Sequence, residues 1–443
     1  MSVDMEAFRE FRESLENLGE YATTKPLSDA EAVHRAKTTF AAKMNGRMAV
    51  DLETCIHCGM CAEACHFYEA TEDERYSPVY KFRLLRRFYR REMSPMRWFF
   101  RPFTRDISAT DLESWQELVY DGCTGCGRCD MMCPMGIKIS ALINVTREGL
   151  AAAGFMPIEL RALQEEQQEH GTVFGVGAKE LRVLVDKLRA EGLDVPIDKD
   201  KADVLLLTTA AEVLIFPDAL AASARILNKS GADWTLSSDA FEAANLGLVS
   251  GDDMTQKAVT KRIVERAIAC GAKTVVLPES GHAYQALRWE AANEVGEALP
   301  FAVMAIAEYV AAEVGAGRLS LKSNGGGSVT YHDPCRLARH GGITAEPREV
   351  LKKLGYELHE TPSHLRENYC CGGGCGEYVI KRSANLRQKA FRIKQREFDA
   401  TGADAVVTSC ANCRINLMIG ADNAGWKTPV TSLAETVASR LAD

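Results

Sequence analysis

The stretch CIHCGMCAEAC, residues 55 to 65, places four cysteines at intervals of three, three and four positions. A second stretch, CTGCGRCDMMCP at residues 123 to 134, repeats this spacing. A short loop with such spacing wraps three thiolates around one metal centre, whereas its fourth thiolate points towards the neighbouring centre. The two stretches therefore predict a pair of metal centres that exchange their fourth ligands.

The spacing C-x2-C-x2-C-x3-C is that of bacterial two-cluster ferredoxins, which bind [4Fe-4S] cubes. We assign the first cube to Cys55, Cys58, Cys61 and Cys133, and the second cube to Cys123, Cys126, Cys129 and Cys65. Cys65 is followed by His66 where the ferredoxin run has proline, but that proline is not a ligand and we expect the cluster to survive. Zinc also takes four cysteines, although three cysteines at strict three-residue spacing, found twice, are a poor zinc pattern.

A third group of cysteines lies in the last third of the chain, in YHDPCRLARH, ENYCCGGGCGEY and TSCANCRIN. Its members are Cys335, Cys370, Cys371, Cys410 and Cys413, with 34 residues between the first two and 38 between Cys371 and Cys410. Adjacent cysteines seldom form a disulfide with each other, because the required geometry is reached only under strain. The glycines that follow let the backbone approach a ligand closely, so we expect these thiols to serve a different purpose.

The spacing C-x34-CC-x38-C-x2-C resembles the cysteine-rich CCG domain of heterodisulfide reductases and of several respiratory iron-sulfur subunits. The order of one two-cubane ferredoxin module, one degenerate CCG domain and one intact CCG domain is similar to heterodisulfide reductase D and DsrK-type subunits. The resemblance covers about residues 48 to 443. It implies that the five thiolates are catalytic and hold a non-cubane [4Fe-4S] cluster, which binds and cleaves a disulfide.

These patterns predict a multidomain α/β fold, in which an α-helical two-cluster ferredoxin module is followed by two α/β CCG-type repeats. The expected parts are a helical N-terminal segment at 1–47, a ferredoxin-like domain with a basic aromatic insertion at 48–146, a helical connector at 147–200, a degenerate CCG repeat at 201–321 and an intact CCG domain at 328–443. A glycine-rich linker, KSNGGGSV, separates the two repeats.

The two α/β repeats align with each other, because TVVLPESGHAYQAL parallels AVVTSCANCRINL. In this alignment Glu279 stands where Cys410 is, and His282 stands where Cys413 is. The first repeat thus lacks cysteine ligands, and we expect it to form a wall facing the third cluster. Glu279 and His282 could donate protons there or could be scaffold residues, and both interpretations stay open.

Several polar groups and two further cysteines lie near these motifs. His332, Arg336, Arg339 and His340 flank Cys335 and could bind an anionic substrate or supply protons, or could simply flank a solvated turn. Cys375 lies outside the five-cysteine set and is either a redox-active thiol near the cluster or an inert buried residue. Cys270 lies on an apolar helical face and is expected in the core.

The insertion between Cys65 and Cys123 is 57 residues long and contains YKFRLLRRFYRREMSPMRWFFRPFTRD. Basic residues alternate there with aromatic residues, in a chain whose net charge is −8. Such a segment is typical of a docking surface for a membrane partner or for the anionic leaflet. Alternatively, it is a basic helix that covers the chain's own anionic clusters.

Composition and charge exclude several classes of protein. The chain has 443 residues, of which 46% are hydrophobic, and the acidic balance argues against nucleic acid as a partner. Fifteen cysteines in a reducing compartment indicate metal ligands or redox groups rather than disulfides. The N-terminus lacks the apolar core of a signal peptide, and no apolar run is long enough to span a bilayer. We expect a cytoplasmic protein, free or peripheral at the inner face of the membrane.

The leading hypothesis is an iron-sulfur oxidoreductase subunit. Electrons would come from a partner, either a membrane b-type cytochrome or a quinone-reactive subunit, and pass through both cubes to the third cluster. There a disulfide of a small thiol, or a sulfur-carrier substrate, would be reduced or formed; the direction is open. The alternative is an electron-relay subunit that serves a flavin dehydrogenase of glycolate, lactate or glycerol 3-phosphate and delivers electrons to quinone. A cleft opening onto Cys370 and Cys371 would favour the enzyme, and a buried cluster would favour the relay.

Overall fold

The protein is described by a computed structural model over residues 5–23, 26–324 and 326–442. The N-terminal segment forms α1 (Met5–Glu16) and α2 (Asp29–Lys43). The apolar residues Phe8, Phe11 and Leu15 recur on one side of α1 and are buried, as expected for an amphipathic helix. Residues 1–4, which belong to the predicted helical segment, lie outside the described residues.

The helices that follow in the first 200 residues are mostly short. They are α3 (Gly46–Thr54), α4 (Met60–Glu63), α5 (His66–Thr71), α6 (Pro78–Lys81), α7 (Arg83–Phe88), α8 (Arg97–Phe100), α9 (Ala109–Gln116), α10 (Arg128–Met132), α11 (Ile139–Ala152), α12 (Ile158–His170) and α13 (Ala178–Ala190). Asn45 caps α3 by accepting a hydrogen bond from the Met48 amide at 3.0 Å. Since α11 is continuous from 139 to 152, a helix crosses the boundary that the sequence suggests at residue 146.

A first parallel sheet contains β1 (Val204–Leu206), β2 (Trp234–Thr235), β3 (Thr274–Leu277) and β4 (Ala302–Ala305), in the order β2-β1-β3-β4. Its central strands read as uninterrupted apolar runs, which is typical of parallel strands covered on both faces. The covering helices are α14 (Ala210–Ile215), α15 (Pro217–Lys229), α16 (Leu246–Ser250), α17 (Asp253–Ala269), α18 (Gly281–Tyr284), α19 (Ala291–Val295) and α20 (Ile306–Gly315).

A second parallel sheet contains β5 (Ser328–His332), β6 (Glu357–Leu358), β7 (Ala405–Thr408) and β8 (Val430–Ser432), in the order β6-β5-β7-β8. Its helices are α21 (Ala345–Lys353), α22 (Ala384–Asp399), α23 (Ala411–Ala424) and α24 (Leu433–Ala438). We call residues 204–315 the first α/β unit and residues 328–438 the second α/β unit.

The two α/β units have the same strand order. β3 and β7, which carry the two aligned sequence segments, occupy the same position in their sheets, and each is followed by a helix. The carboxyl ends of these strands meet, because the Ala411 amide donates a hydrogen bond to the Glu279 carbonyl at 2.6 Å. Carboxyl ends of parallel strands are where α/β folds bind ligands, so this junction is the expected place for a site.

The N-terminal helices pack against both units. The Tyr120 hydroxyl donates to the Ser250 carbonyl at 2.8 Å in the first unit, and Arg382 of the second unit pairs with Asp121 at 2.5 Å. The predicted iron-sulfur segment is therefore held against the junction of the two sheets. Within the described ranges, no helix has both the length and the apolar character that crossing a bilayer requires.

Candidate metal centres and the cavity beside them

The first set of cysteines surrounds a single cavity. Cys55, Cys58, Cys61 and Cys133 line this cavity together with Val79 and Phe82. Cys55 follows α3, Cys61 lies in α4 and Cys133 follows α10. Burial raises the pKa of the Cys61 thiol to about 11, and the three neighbouring thiols add to this effect. The fold thus brings together the four residues that the spacing assigns to the first cube.

The second set surrounds a separate cavity, lined by Cys65, Cys123, Cys126 and Cys129. The Lys81 ammonium lies 3.4 Å from the Cys65 sulfur and also donates to the Gly122 carbonyl. Lys81 is 1% exposed, so its positive charge depends on nearby negative charge. An anionic centre at these four thiols would satisfy that requirement. Four thiols around one cavity, one for each iron, fit a [4Fe-4S] cube in both places.

The third set of cysteines lies at the junction of the two sheets. Cys335 follows β5, Cys410 follows β7, and Cys413 lies in the first turn of α23. The Cys370 thiol contacts those of Cys335 and Cys371, whereas the Cys413 thiol contacts those of Cys371 and Cys410. All five are buried, and their sulfur atoms form one continuous group. Such a group can hold a cluster more open than a cube.

Backbone amides point at this sulfur group. The Gly372 amide lies 3.5 Å from the Cys370 sulfur, and the Gly373 amide lies 3.5 Å from the Cys371 sulfur. A side chain at Gly373 would meet the Cβ of Asn416 at 2.6 Å, so only glycine fits there. Amide donors to sulfur stabilise an anionic cluster and influence its potential. The glycine run therefore serves both packing and electrostatics.

The second and third cysteine sets are adjacent to each other. The Cys126 thiol contacts the Cys370 thiol, although the two residues are far apart in sequence. Arg339 fixes this approach by donating to the carbonyl oxygens of Cys126 at 2.8 Å and Arg366 at 2.7 Å. The predicted second cube and the predicted third cluster are thus neighbours.

The polar groups around Cys335 play different structural roles. The Arg339 guanidinium is occupied by backbone carbonyls, so the structure favours its scaffold interpretation. Burial, together with the neighbouring Arg336, lowers the pKa of His340 to about 4. His340 is therefore neutral at neutral pH and is not a ready proton donor.

His332 faces the third cysteine set. One of its ring nitrogens and the sulfur atoms of Cys371 and Cys413 all lie within 4.8 Å of one another. His332 is 1% exposed, and neither ring nitrogen forms a conventional hydrogen bond with the described part of the chain. Its ring packs edge-on against Phe398. The imidazole is thus part of the shell around the sulfur group rather than of an open surface.

The first α/β unit forms one wall of the third site, as the sequence suggests. His282 accepts a hydrogen bond from the Cys375 amide at 3.0 Å, and the Gly281 amide donates to the Cys410 sulfur. Glu279 accepts a hydrogen bond from the Ala434 amide at 3.0 Å. Burial raises the pKa of Glu279 to about 8, so this carboxyl is mostly protonated at neutral pH.

Cys375 lies closer to charged groups than the sequence could indicate. Its sulfur lies 3.3 Å from an Arg336 nitrogen, and its backbone φ is +54°. Burial works to raise the pKa of Cys375, but Arg147, Arg336 and His282 outweigh it and hold the pKa well below the usual range. The only signal in the sequence was one cysteine within a glycine run. Cys270, by contrast, is fully buried in the first unit, as expected.

A cavity of about 480 Å³ leads to Cys375. Cys123, Arg147, Arg336 and Cys375 line one part of it, and acidic, amide and lysine side chains line the rest. Cys370 and Cys371 are each 2% exposed and do not line it. The cavity thus approaches Cys375 and not the adjacent cysteines, whose burial is the observation that favours the relay.

The basic aromatic insertion divides into two parts. Lys81 and Arg86 point inward, and Arg86 contacts His57 next to the first set. The tip, residues 95–103, is largely exposed, with Trp98 at 74% and Phe103 at 82%. The inward-pointing residues thus agree with a segment that covers the proposed clusters, whereas the tip is exposed and docking there stays a prediction.

Comparisons with known proteins agree with this arrangement. Residues 51–137 match the family described as "4Fe-4S dicluster domain", and residues 329–418 match CCG, "Cysteine-rich domain". The chain is 28% identical over 401 residues to the D polypeptide of the dihydromethanophenazine:CoB--CoM heterodisulfide reductase of Methanosarcina mazei, a match that covers 88% of this chain and 94% of that protein.

Two other relatives extend the comparison. The Hdr-like menaquinol oxidoreductase iron-sulfur subunit 2 of Archaeoglobus fulgidus is 25% identical, covering 86% of this chain and 77% of that protein. The glycolate oxidase iron-sulfur subunit of Escherichia coli is more distant, at 24% identity over 83% of this chain and 89% of that protein. The chain is thus an iron-sulfur oxidoreductase subunit homologous to heterodisulfide reductase D, and its cofactors are two cubane [4Fe-4S] clusters and one non-cubane [4Fe-4S] cluster.

Proposed function

We propose that this subunit carries electrons from a redox partner to a site that reduces, or in reverse forms, a disulfide or related sulfur substrate. The proposed ligands of the first cube are Cys55, Cys58, Cys61 and Cys133, and those of the second cube are Cys65, Cys123, Cys126 and Cys129. The proposed ligands at the third site, where the substrate reacts, are Cys335, Cys370, Cys371, Cys410 and Cys413.

The contact between Cys126 and Cys370 carries the proposal, since it joins the ferredoxin segment to the third site without intervening side chains. At the other end of the path, Cys58 is exposed, and Ile56 beside it is 63% exposed. This supports entry of electrons at the first cube and their passage inward. When bound, the non-cubane cluster supplies one-electron chemistry to a sulfur–sulfur bond.

Electron paramagnetic resonance during stepwise anaerobic oxidation tests the proposal, with and without a small thiol such as 2-mercaptoethanesulfonate. We expect a signal from the third cluster that depends on the thiol. The matched control is Cys371→Ala, in which that signal should be absent while both cubes remain. A third-cluster signal indifferent to every thiol and disulfide added would overturn the proposed substrate chemistry.

The relay function remains the second candidate, because all five thiols of the third site are buried. In that case a flavin dehydrogenase would reduce all three clusters and the chain would meet no sulfur substrate. Reduction by a flavoprotein together with a thiol-independent signal would favour this alternative. A thiol-dependent signal would exclude it.

We infer that the donor is a membrane b-type cytochrome or a quinone-reactive subunit, and that the chain is peripheral at the inner face of the membrane. The exposed tip supports this inference, because Trp98, Phe99 and Phe103 stand beside Arg97 and Arg101. Aromatic and basic residues together favour the membrane interface. Trp98→Ala/Phe103→Ala should lower binding to vesicles containing anionic lipid and the partner, whereas Met254→Ala, exposed elsewhere, should not. Equal vesicle binding by the wild-type protein and by Trp98→Ala/Phe103→Ala would contradict the inference.

We also infer the division of the chain into parts: an N-terminal helical segment at 1–47, a ferredoxin-like domain at 48–146, a connector at 147–200, a degenerate CCG repeat at 201–321 and an intact CCG domain at 328–443. The matching strand orders of the two sheets support the repeat. Limited proteolysis of the native protein should cut first in the glycine-rich linker around 322–329. Early cleavage within β1–β4 would contradict this division.

A further inference from the structure

Cys375 is a cysteine that the five-thiol site does not use, at the inner end of a large cavity. The cavity holds about 480 Å³ and runs between α11, the ferredoxin segment and the first α/β unit. A pocket of this size accommodates a small organic molecule. Because its inner end is lined by both Cys123 and Cys375, a molecule there would lie beside the proposed second cube.

We propose that Cys375 is a thiol-exchange residue, and that the cavity binds a small, zwitterionic disulfide whose sulfur meets Cys375. This proposal rests on the proposed function, since it names how a disulfide reaches a buried redox site. It assigns to the cavity a ligand with charges of both signs and a sulfur–sulfur bond.

Positive charge surrounds the Cys375 sulfur. Arg336 contacts it at 3.3 Å, and the Gly125 backbone approaches so closely that an added Cβ would lie 3.0 Å from the sulfur. Arg147, only 2% exposed, extends from the other side and also bonds the Cys123 carbonyl at 2.7 Å. Neighbouring guanidinium groups favour the thiolate, which is the nucleophilic form of cysteine.

The backbone at Cys375 is costly for any residue with a side chain. Its φ of +54° and ψ of +38° are left-handed, a conformation that is unfavourable for an L-residue relative to glycine. The neighbouring residues 374 and 376 are glycines. Strain of this kind at a single residue, held by the surrounding structure, is characteristic of functional positions. The Cys375 amide is fixed by His282 at 3.0 Å.

The cavity lining contains polar atoms without partners. Arg336 Nε, Gln285 Oε1 and Glu294 Oε2 are buried and have no hydrogen-bond partner among the described residues. Buried polar groups are nearly always paired, so these atoms favour a polar ligand. Beside Cys375 the lining is cationic through Arg147 and Arg336, whereas the rest of the lining has more carboxyl groups than ammonium groups. The carboxyl groups are those of Glu148, Asp253, Glu290 and Glu294, and the ammonium groups are those of Lys257 and of Lys43, which is paired with Glu148 and Asp253. A ligand with a carboxylate near its sulfur and an ammonium group facing outward matches both ends.

The exchange proceeds in two steps. The Cys375 thiolate attacks one sulfur of RS–SR′, forming a Cys375–S–S–R bond and breaking the RS–SR′ bond, and the released R′S⁻ takes a proton from solvent. Two electrons from the redox partner, delivered along the chain's electron path, and one proton then regenerate the Cys375 thiolate and release RSH. In total, one disulfide, two electrons and two protons give two thiols.

The test exposes native, cluster-loaded protein anaerobically to cystine, which is zwitterionic, and to 2-hydroxyethyl disulfide, which is neutral. Peptide mass mapping should find the mixed disulfide at Cys375 and not at the core residue Cys270. After division by each probe's rate with a free thiolate, cystine should react about fivefold faster, the factor expected for one charge contact in water.

The variant Cys375→Gly suits the left-handed backbone and should keep its iron and its thermal unfolding temperature. It should take no adduct and, with a reduced viologen dye as donor, lose disulfide turnover by at least about a hundredfold. Cystine reduction at the wild-type rate by this variant would overturn the inference and leave the proposed function intact. Loss of iron would overturn it too, because Cys375 would then be a ligand. An adduct in a wild-type protein that reduces no disulfide would refute the proposed function and support the exchange site.

Discussion

The two α/β units share a strand order but differ at the ends of their equivalent strands. β7 leads into Cys410 and Cys413, whereas β3 leads into Glu279 and His282. In the second unit, Cys410 and Cys413 contact each other within the sulfur group. In the first unit, Glu279 and His282 accept hydrogen bonds from backbone amides of the second unit. The same fold therefore holds a proposed metal centre in the second unit and supports that centre in the first unit.

The support is directed at the metal-binding loops themselves. The Glu279 carbonyl accepts from the Ala411 amide beside Cys410, and His282 accepts from the Cys375 amide. Without these contacts, the loops that carry Cys410 and Cys375 would no longer be held in one conformation. Substitutions of the proposed cysteine ligands in the second unit should therefore remove iron, and substitutions of Glu279 or His282 in the first unit should change stability while iron is retained.

The largest expected effect comes from Cys371→Ala. Because the Cys371 thiol contacts those of Cys370 and Cys413, its removal interrupts the sulfur group at its centre. Iron should fall from about twelve atoms per chain to about eight, and disulfide turnover should vanish while both cubes remain. Iron analysis together with electron paramagnetic resonance measures this.

The matched control lies in the other unit. Cys270→Ala removes a cysteine that is fully buried in the first unit, and it should keep about twelve irons. If both variants lost the same amount of iron, the contrast between the units would be lost.

The second effect concerns a buried ion pair of the second unit. Arg348 donates two hydrogen bonds of 2.8 Å to Asp333, which is 1% exposed and also accepts from the Leu365 amide at 2.7 Å. Arg348→Met leaves that carboxylate uncompensated, which costs about 3–5 kcal/mol of unfolding free energy. Thermal unfolding should record a large fall, and the loop that leads to Cys370 should loosen.

A pair near the end of the first unit serves as the control. Arg318 pairs with Glu313 at 2.7 Å, but its side chain is 59% exposed. Arg318→Met should cost only about 0–1 kcal/mol, the usual worth of a surface pair. Equal losses of unfolding free energy in Arg348→Met and Arg318→Met would mean that burial of an ion pair does not determine its contribution to stability.

Sequence reasoning succeeded where the determining geometry is local. Cluster loops are defined by spacing within about ten residues, and the crossed pairing of Cys133 with the first loop follows from that spacing. The family resemblance and the aligned segments likewise indicated two α/β units. The contact of Cys126 with Cys370 could not be predicted, because residues more than 200 positions apart meet only through packing. The same holds for Cys375, whose surroundings come from Arg147, His282 and Arg336.

The basic aromatic insertion shows a second limit of prediction from sequence. Composition identified a basic aromatic segment but not which of its cations point inward. Lys81 is buried beside Cys65 because α6 packs against the ferredoxin loops, whereas Arg97 lies on the exposed tip. Whether a cation faces a cluster or solvent depends on helix orientation, which charge patterning does not contain.

The third effect tests the support that the first unit provides. His282→Phe removes the acceptor for the buried Cys375 amide, and an unpaired buried donor costs about 1–3 kcal/mol. His282→Gln, whose amide oxygen can accept the same bond, should recover most of this loss. Thermal unfolding compares the two variants, and iron content should stay unchanged in both. Iron loss in His282→Phe would show that this residue does more than support the loop.

The smallest effect is a dependence on pH that arises at the end of β3 in the first unit and not at the end of β7, the equivalent strand of the second unit. Burial raises the pKa of Glu279 to about 8, above its ordinary value near 4.5. A raised folded-state pKa stabilises the fold fully below pH 4.5, and this contribution is lost as the pH rises through 8. Between pH 7 and 8 the loss is about 1 kcal/mol.

Glu279→Gln stays neutral and should lack this loss, so the difference between wild-type and variant unfolding temperatures should change from pH 7 to pH 8. Taking the difference between the two proteins cancels the titration of Glu212 and Glu242, whose pKa values burial raises to about 7. The equivalent position of the second unit is Cys410, a proposed iron ligand that carries no such carboxyl. Parallel curves for wild type and variant would mean that Glu279 is ionised in the fold. The strand end of the first unit would then bring a negative charge, instead of a neutral hydrogen-bonding group, to the wall of the third site.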